Sequence, residues 1–217
     1  TCACPRLSGS EEKSWQQRKE GLMCRGEEIP DREIKGFGQK KGMGRVRLAA
    51  ESDLDQMAAI EAVSIPDGWS RKAFSDALKN DQALLMVLTQ GEASGDLVPA
   101  KERSSGDCPA GQEETVLAYL LCYFAADEGE IVSIACHPDA RRQGCATELL
   151  TEFEKKARDL GLRGIFLEVR KSNVPAICLY ERNGFASVGL RPRFYRHPVE
   201  DALLLRLDLP EEKEKPC

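Results

Sequence analysis

The sequence predicts an α/β (α+β) domain built on one mixed sheet of seven strands, with helices on both faces. Three observations lead there. Apolar periodicity switches between strand and helix spacing along residues 45–209, giving the order β-α-α-β-β-β-α-β-α-β-β. Gly161 and Gly184 stop two of the helical patterns. A basic turn, Arg141-Arg142-Gln143-Gly144-Cys145-Ala146, stands between the apolar run Ile131–Cys136 and a helical stretch with Leu149, Leu150, Phe153, Ala157 and Leu160 in register.

The elements follow in order. Val46–Leu48 reads as the first strand. Ser52, with Asp55 three residues on, forms a near capping box for a helix to about Val63, in which Leu54, Met57, Ala58 and Ile60 recur at helix spacing. Ile65-Pro66-Asp67-Gly68 is loop chemistry, and Ser70 caps a second helix to about Lys79. Strands two, three and four are Ala83–Thr89, Thr115–Phe124 and Glu128–Cys136. Residues 125–127 leave room only for a tight turn between antiparallel partners. The third helix spans about Cys145–Leu160, and Gly164–Arg170 is strand five. Ser172 or Asn173 caps a fourth helix, with Pro175 tolerated in its first turn. Ala186–Leu190 is strand six, Arg191–Val199 a loop with two prolines, and Ala202–Leu209 strand seven.

Residues 1–42 are poor in aliphatic side chains and cannot offset the entropy of ordering, so they are expected to be a disordered or non-native leader, with Met43 as the physiological start. The domain is expected over 43–210, with residues 90–114 an exposed insertion and 211–217 a charged tail.

Composition narrows the function classes. No run of about 18 apolar residues exists, and no signal-peptide core opens the sequence. Nine cysteines and two histidines lack metal-ligand spacing: there is no C-x-x-C, and His137 and His197 stand far apart. No metal is expected, and the odd cysteine count fits a reducing, cytoplasmic compartment. The formal net charge is −5, and the acidic excess lies beyond residue 42. An acidic domain with one basic turn suits a cationic peptide and an anionic cofactor. No extended Lys/Arg face points to nucleic acid, and no membrane contact is expected.

The basic turn carries the first chemical signal. A helix N-terminus presents unpaired N–H groups and partial positive charge, and Gly144 and Ala146 leave the backbone open to close approach. A phosphate or pyrophosphate is the natural ligand. There is no G-x-x-x-x-G-K-[ST], and no G-x-G-x-x-G follows the first strand. A basic helix start without a ligand is the plainer reading. The second signal is Glu168, which alternation puts on one face of its strand with Phe166, while Leu167 and Val169 take the other. It is either a rim glutamate reaching solvent or a general base whose pKa rises beside apolar walls. Tyr180 is either a core aromatic or a proton donor. Asn173 is either a helix cap or a contact for the pantetheine amides of coenzyme A.

Residues 45–209 resemble the RimI branch of the GNAT superfamily, the ribosomal-protein-alanine N-acetyltransferases. The motifs occur in order. They are Trp69-Ser70, then Ile134-Ala135-Cys136-His137-Pro138-Asp139 leading into the R/Q-x-x-G-x-G/A hexad Arg141–Ala146. Leu167-Glu168-Val169-Arg170 with Ser172-Asn173 and Leu179-Tyr180-Glu181-Arg182-Asn183-Gly184-Phe185 follow. Phe194-Tyr195 and Glu200-Asp201-Ala202 are similar to the family's last loop and strand. The resemblance implies a GNAT-type, mostly antiparallel sheet and acetyl-CoA as co-substrate. It implies that Glu168 is the proton acceptor and Tyr180 the donor to the coenzyme A thiolate. By the same resemblance Ile134, Ala135 and Cys136 line the thioester and pantetheine, and Asn173 contacts the cofactor. The pyrophosphate cradle falls on Arg141, Arg142, Gln143, Gly144, Cys145, Ala146 and Thr147. The loop after the first helix and the Phe194-Tyr195 loop would flank the substrate. Two departures bear on it: Ile65–Trp69 is longer than the family's Phe-Pro-Trp, and Arg193–Glu200 is shorter.

The expected reaction is direct acetyl transfer to a protein or peptide N-terminal amine, with a basic ribosomal protein as one candidate partner. A lysine or small-amine acetyltransferase, a non-catalytic acyl-CoA-binding module and an adaptor are the alternatives. A covalent route through Cys136 or Cys145 has no histidine–acid partnership in the sequence to support it.

Overall fold

The computed structural model describes residues 44–66, 68–90 and 114–210. The leader, the C-terminal tail and all but the two end residues of the expected 90–114 insertion lie outside the described residues.

Seven strands form one sheet in the order β1-β2-β3-β4-β5-β7-β6. They are β1 (Arg45–Leu48), β2 (Ala83–Gln90), β3 (Thr115–Ala125), β4 (Glu128–Cys136), β5 (Gly164–Arg170), β6 (Ala186–Arg196) and β7 (Val199–Asp208). Every neighbouring pair is antiparallel except β4 and β5. The helices are α1 (Leu54–Ser64), α2 (Arg71–Leu78), α3 (Cys145–Asp159) and α4 (Val174–Arg182). The fold class, the element order and most boundaries agree with the sequence reading.

Strand alternation divides the core in two. Leu85, Val87, Tyr119 and Leu121 face one side and pack with Leu54, Met57 and Ile60 of α1 and Phe74 of α2. Met86, Leu88, Leu120, Cys122 and Leu167 face the other, against Leu149, Phe153 and Ala157 of α3 and Tyr180 of α4. A fully buried Leu or Phe contributes about 1.5–3 kcal/mol, so the two layers hold the helices far more strongly than their caps do. Ser70 Oγ accepts from Ala73 N, and Asn173 Oδ1 from Ala176 N. Gly161, at φ +75°, takes the left-handed conformation that ends α3.

Two expectations need correction. The near capping box at Ser52 does not form. Glu51–Asp53 is a 3-10 turn, and the Asp53 carboxylate accepts from Ala50 N at 2.7 Å and pairs with Arg47 at 2.6 Å. Asp53 wins because a charged neighbour strengthens its acceptor. Arg191–Val199 is not a loop: β6 runs to Arg196 and turns through His197-Pro198 into β7, with Arg196 paired to Val199. Pro192 is tolerated because β6 is the edge strand and its register with β7 skips between Arg191 and Tyr195. Arg193, at φ +51°, donates its N–H to Asp201 Oδ1 in that bulge.

A second irregularity positions the site. On β4, Ile131 pairs with Cys122 and Ser133 with Leu121, so Val132 is one residue too many. The parallel ladder between β4 and β5 ends at Ile131↔Leu167, although each strand continues beside its other neighbour, β4 to Cys136↔Ala118 and β5 to Arg170↔Ala202. The sheet therefore opens between the C-terminal halves of β4 and β5.

Candidate active site

Glu168 and Tyr180 approach this opening from opposite faces. Leu167 and Val169 belong to the α3/α4 core, so Glu168 projects to the α1/α2 face, where its side chain is 9% exposed. Its Oε1 lies 2.7 Å from Arg191 of β6, and Glu130 of β4, opposite Phe166 in the ladder, shares its face. Burial pushes the Glu168 pKa up, the Glu130 charge adds to that, and Arg191 opposes it. Alternation predicted this face. The partners Glu130 and Arg191 lie 38 and 23 residues away in sequence, where no local pattern shows them.

Tyr180 is buried on the α3/α4 face, edge-on to Phe185. Burial, then Tyr195 and Cys136, raise its pKa far above the ordinary phenol range. Tyr195 ties the hairpin to β5: its hydroxyl donates to the Glu168 carbonyl at 3.3 Å. Arg170 stacks 4.1 Å from the Tyr195 ring centre and pairs with Glu200, which also accepts from Ser172 N. The hairpin is thus fastened to the end of β5.

Beyond Ile131 the edge of β4 carrying Ile134, Ala135 and Cys136 has no ladder partner on β5, leaving backbone groups for an extended ligand. The basic turn follows. Arg142 and Gly144 have φ of +61° and +91°, and the first α-helical bond of α3 runs from Glu148 N to Gly144 O. The amides of Cys145, Ala146 and Thr147 precede it and have no helix carbonyl to bond. Gln143 closes the turn by donating to Asp139 O. Arg141 bends back to Ser64 Oγ at 2.9 Å and to Cys136 O, so its guanidinium braces the turn. Asn173 uses its carbonyl oxygen as the α4 cap, which leaves its NH₂ as the donor toward a ligand.

Burial pushes the Cys136 thiol up to about 11 and raises Cys145 also, so neither is a thiolate at neutral pH. No helix among the described residues is long and apolar enough to cross a membrane.

A cleft of about 470 Å³ lies on the α1/α2 face between the loop after α1 and the β6–β7 hairpin, with Trp69, Val132, Arg170, Phe194, Tyr195 and Arg196 among its walls. Both segments expected to flank a substrate meet here. At its base is a network the sequence reading did not single out. Glu61, 1% exposed, accepts from Trp69 N at 2.9 Å and from the Tyr119 hydroxyl, with Ser133 Oγ 3.0 Å from that hydroxyl. A Cβ on Gly68 would stand 2.6 Å from Glu61 Cγ, so this carboxylate clamps the loop. Two signals were present: Glu61 sits four residues after Met57 on the apolar face of α1, and Ser133 interrupts an apolar run.

Known proteins decide the family. The family described as Acetyltransferase (GNAT) matches residues 54–185. The chain belongs to the GNAT acetyltransferase family. Among GNAT relatives, the N-alpha-acetyltransferase of Sulfurisphaera tokodaii is 32% identical over 173 residues, covering 78% of this chain and 96% of that one. The ribosomal protein bS18-alanine N-acetyltransferase of Escherichia coli K12 is 33% identical over 100 residues, 45% of this chain and 68% of that one. The crystal structure of the ribosomal-protein-S18-alanine N-acetyltransferase from Escherichia coli superposes with a TM-score of 0.62 at 25% identity, covering 81% of this chain and 99% of that one. The RimI resemblance is supported by these relatives, and the GNAT fold agrees with the mixed seven-stranded sheet. This chain is a GNAT acyltransferase.

Proposed function

We propose that this GNAT enzyme is an acetyl-CoA-dependent N-alpha-acetyltransferase that modifies a protein N-terminal amine by direct transfer, with Glu168 as base and Tyr180 as acid. The observation that carries the reading is the opening between β4 and β5, with the carboxylate on one face and the phenol on the other. Backbone groups of Ile134–Cys136 and the first-turn amides of α3 fit an extended thioester bearing a pyrophosphate. Acetyl-CoA supplies an activated carbonyl and a thiolate leaving group.

The residues then divide the work. Glu168 takes the proton of the incoming ammonium. An α-amine has a pKa of about 7.7–8.0, against about 10.4 for lysine, so a carboxyl group raised by burial suffices for the first far better than for the second. Tyr180 stays protonated at every working pH and delivers its proton to the departing sulfur. The same burial that raises the phenol raises a thiol, as it does at Cys136, so donor and acceptor move together. The cleft holds the peptide end between Trp69 and the Phe194-Tyr195 hairpin. The relatives' names make an alanine-starting ribosomal protein the first substrate to try.

The test is a panel of Ala-, Ser- and Met-starting peptides, internal-lysine peptides and polyamines, incubated with acetyl-CoA and read by mass spectrometry. Acetylation confined to N-termini is expected. Acetylation of lysine or polyamines alone would overturn the reading.

A further inference from the structure

We propose that Glu130 is the second carboxyl group of the reaction, receiving from Glu168 the proton that Glu168 takes from the substrate and releasing it to solvent. The proposal rests on Glu168 being the base.

Geometry brings the two groups together. Glu130 pairs with Phe166 in the parallel ladder, so Glu168 stands one same-face position further along β5. The two carboxyl groups are therefore neighbours on the α1/α2 face, and the Glu130 charge helps to raise the Glu168 pKa. The pair therefore offers a proton on Glu168 a second carboxylate acceptor on the same face. It also spans the boundary of the site: the Glu168 side chain is nearly buried, whereas Glu130 is exposed. The ladder ends one residue after Glu130, so Glu130 stands where the opening begins.

The other charged groups around Glu168 do not offer this exit. Arg191 of β6 has no acidic proton to exchange near neutral pH. Tyr195 of β6 donates to the Glu168 backbone carbonyl. Arg170 on β5 is held by Glu200 and the Tyr195 ring. Arg206 of β7 stacks on Phe166 and reaches toward Glu128 and Asp208. Glu61 of α1 is enclosed with Tyr119 and Ser133. Glu130 alone among these joins Glu168 to water through a carboxyl group.

The steps balance. An N–H bond of the substrate ammonium breaks and an O–H bond forms on Glu168, leaving a neutral amine with its lone pair free to attack. The Glu168 O–H then breaks as an O–H forms on Glu130, which restores the Glu168 carboxylate. Glu130 loses the proton to water. No oxidant or co-reactant is needed.

The experiment compares Glu130→Gln and Glu130→Asp with the unaltered enzyme on a peptide substrate, following kcat and kcat/KM against pH and against concentration of a small buffer such as imidazole. Glu130→Gln should lower kcat roughly 10-fold and move the acidic limb of kcat/KM to lower pH. It should also make kcat rise with buffer concentration, and Glu130→Asp should restore much of the rate. Carboxyl-carbon NMR of the protein without substrate should show the Glu168 titration move down in Glu130→Gln. A Glu130→Gln enzyme with an unshifted profile and no buffer dependence overturns the relay. If Glu130→Gln does not fold, a Glu130→Ala enzyme carries the same expectations. Full activity in Glu168→Gln would instead overturn the base assignment, so the two failures are distinguishable.

Discussion

Arg191 holds the Glu168 carboxylate at 2.7 Å from an exposed edge strand, while Glu130 of β4 stands on the same face and adds its negative charge. The cation pulls the Glu168 pKa down against burial and Glu130, which push it up. Removing the cation leaves the upward influences unopposed. Arg191→Met is therefore expected to shift the acidic limb of kcat/KM to higher pH, because a base works only when deprotonated. A pH profile unchanged from the native one would show that this ion pair does not tune the base.

Glu168→Gln and Tyr180→Phe should each lower kcat by about 10²–10⁴. Acetyl-CoA affinity should change little, because the binding groups are backbone amides of β4 and α3. Steady-state kinetics beside calorimetric titration with coenzyme A separates the two effects.

The turn before α3 predicts a different pattern. Gly144 sits at φ +91°, which costs a side-chain-bearing residue about 1–2 kcal/mol. Gly144→Val should strain the turn, crowd the amides beside it and weaken coenzyme A binding strongly. Arg142→Ala, which removes charge and leaves the amides in place, should weaken it only modestly. Calorimetry on both variants reads the ranking directly.

Glu61 ties together Trp69 N, Tyr119 and Ser133 in a buried setting. Glu61→Ala leaves Trp69 N and one of the two hydroxyls without their acceptor, the other being kept by the Tyr119–Ser133 bond, and a destabilisation of about 1–3 kcal/mol for each stranded donor is expected. Tyr119→Phe removes one donor, and the loss should be about 1–3 kcal/mol. Urea denaturation measures both, and Glu61→Ala should in addition raise the peptide KM by loosening the Ile65–Trp69 loop.

The sequence made much of this fold legible because most elements are amphipathic or end in a definite signal. β4 and β5 begin and end where the apolar pattern does, and Asn173, Ser70 and Gly161 act as caps and stops by local chemistry. The Arg191–Val199 segment reads as a loop because prolines normally break strands, and only the sheet order reveals that β6 is an edge. Glu168 and Tyr180 could be singled out from pattern and motif. Glu130 and Arg191 could not, because their meaning comes from strand register between distant parts of the chain, and Glu61 and Ser133 left only polar interruptions of apolar patterns, whose pairing helix packing alone reveals.

The surplus residue at Val132 has one more consequence. Without it, side chains on β4 would alternate without a break from Ile131 to Cys136, and the strand could zip against β5 along its whole length. With it, Val132 and Ser133 both turn to the α1/α2 face, and the following stretch of main chain keeps hydrogen-bonding capacity that β5 does not take up. The sheet thus reserves a berth one strand wide, and a flexible amide-bearing molecule docks there by completing the hydrogen-bonding pattern of the protein itself.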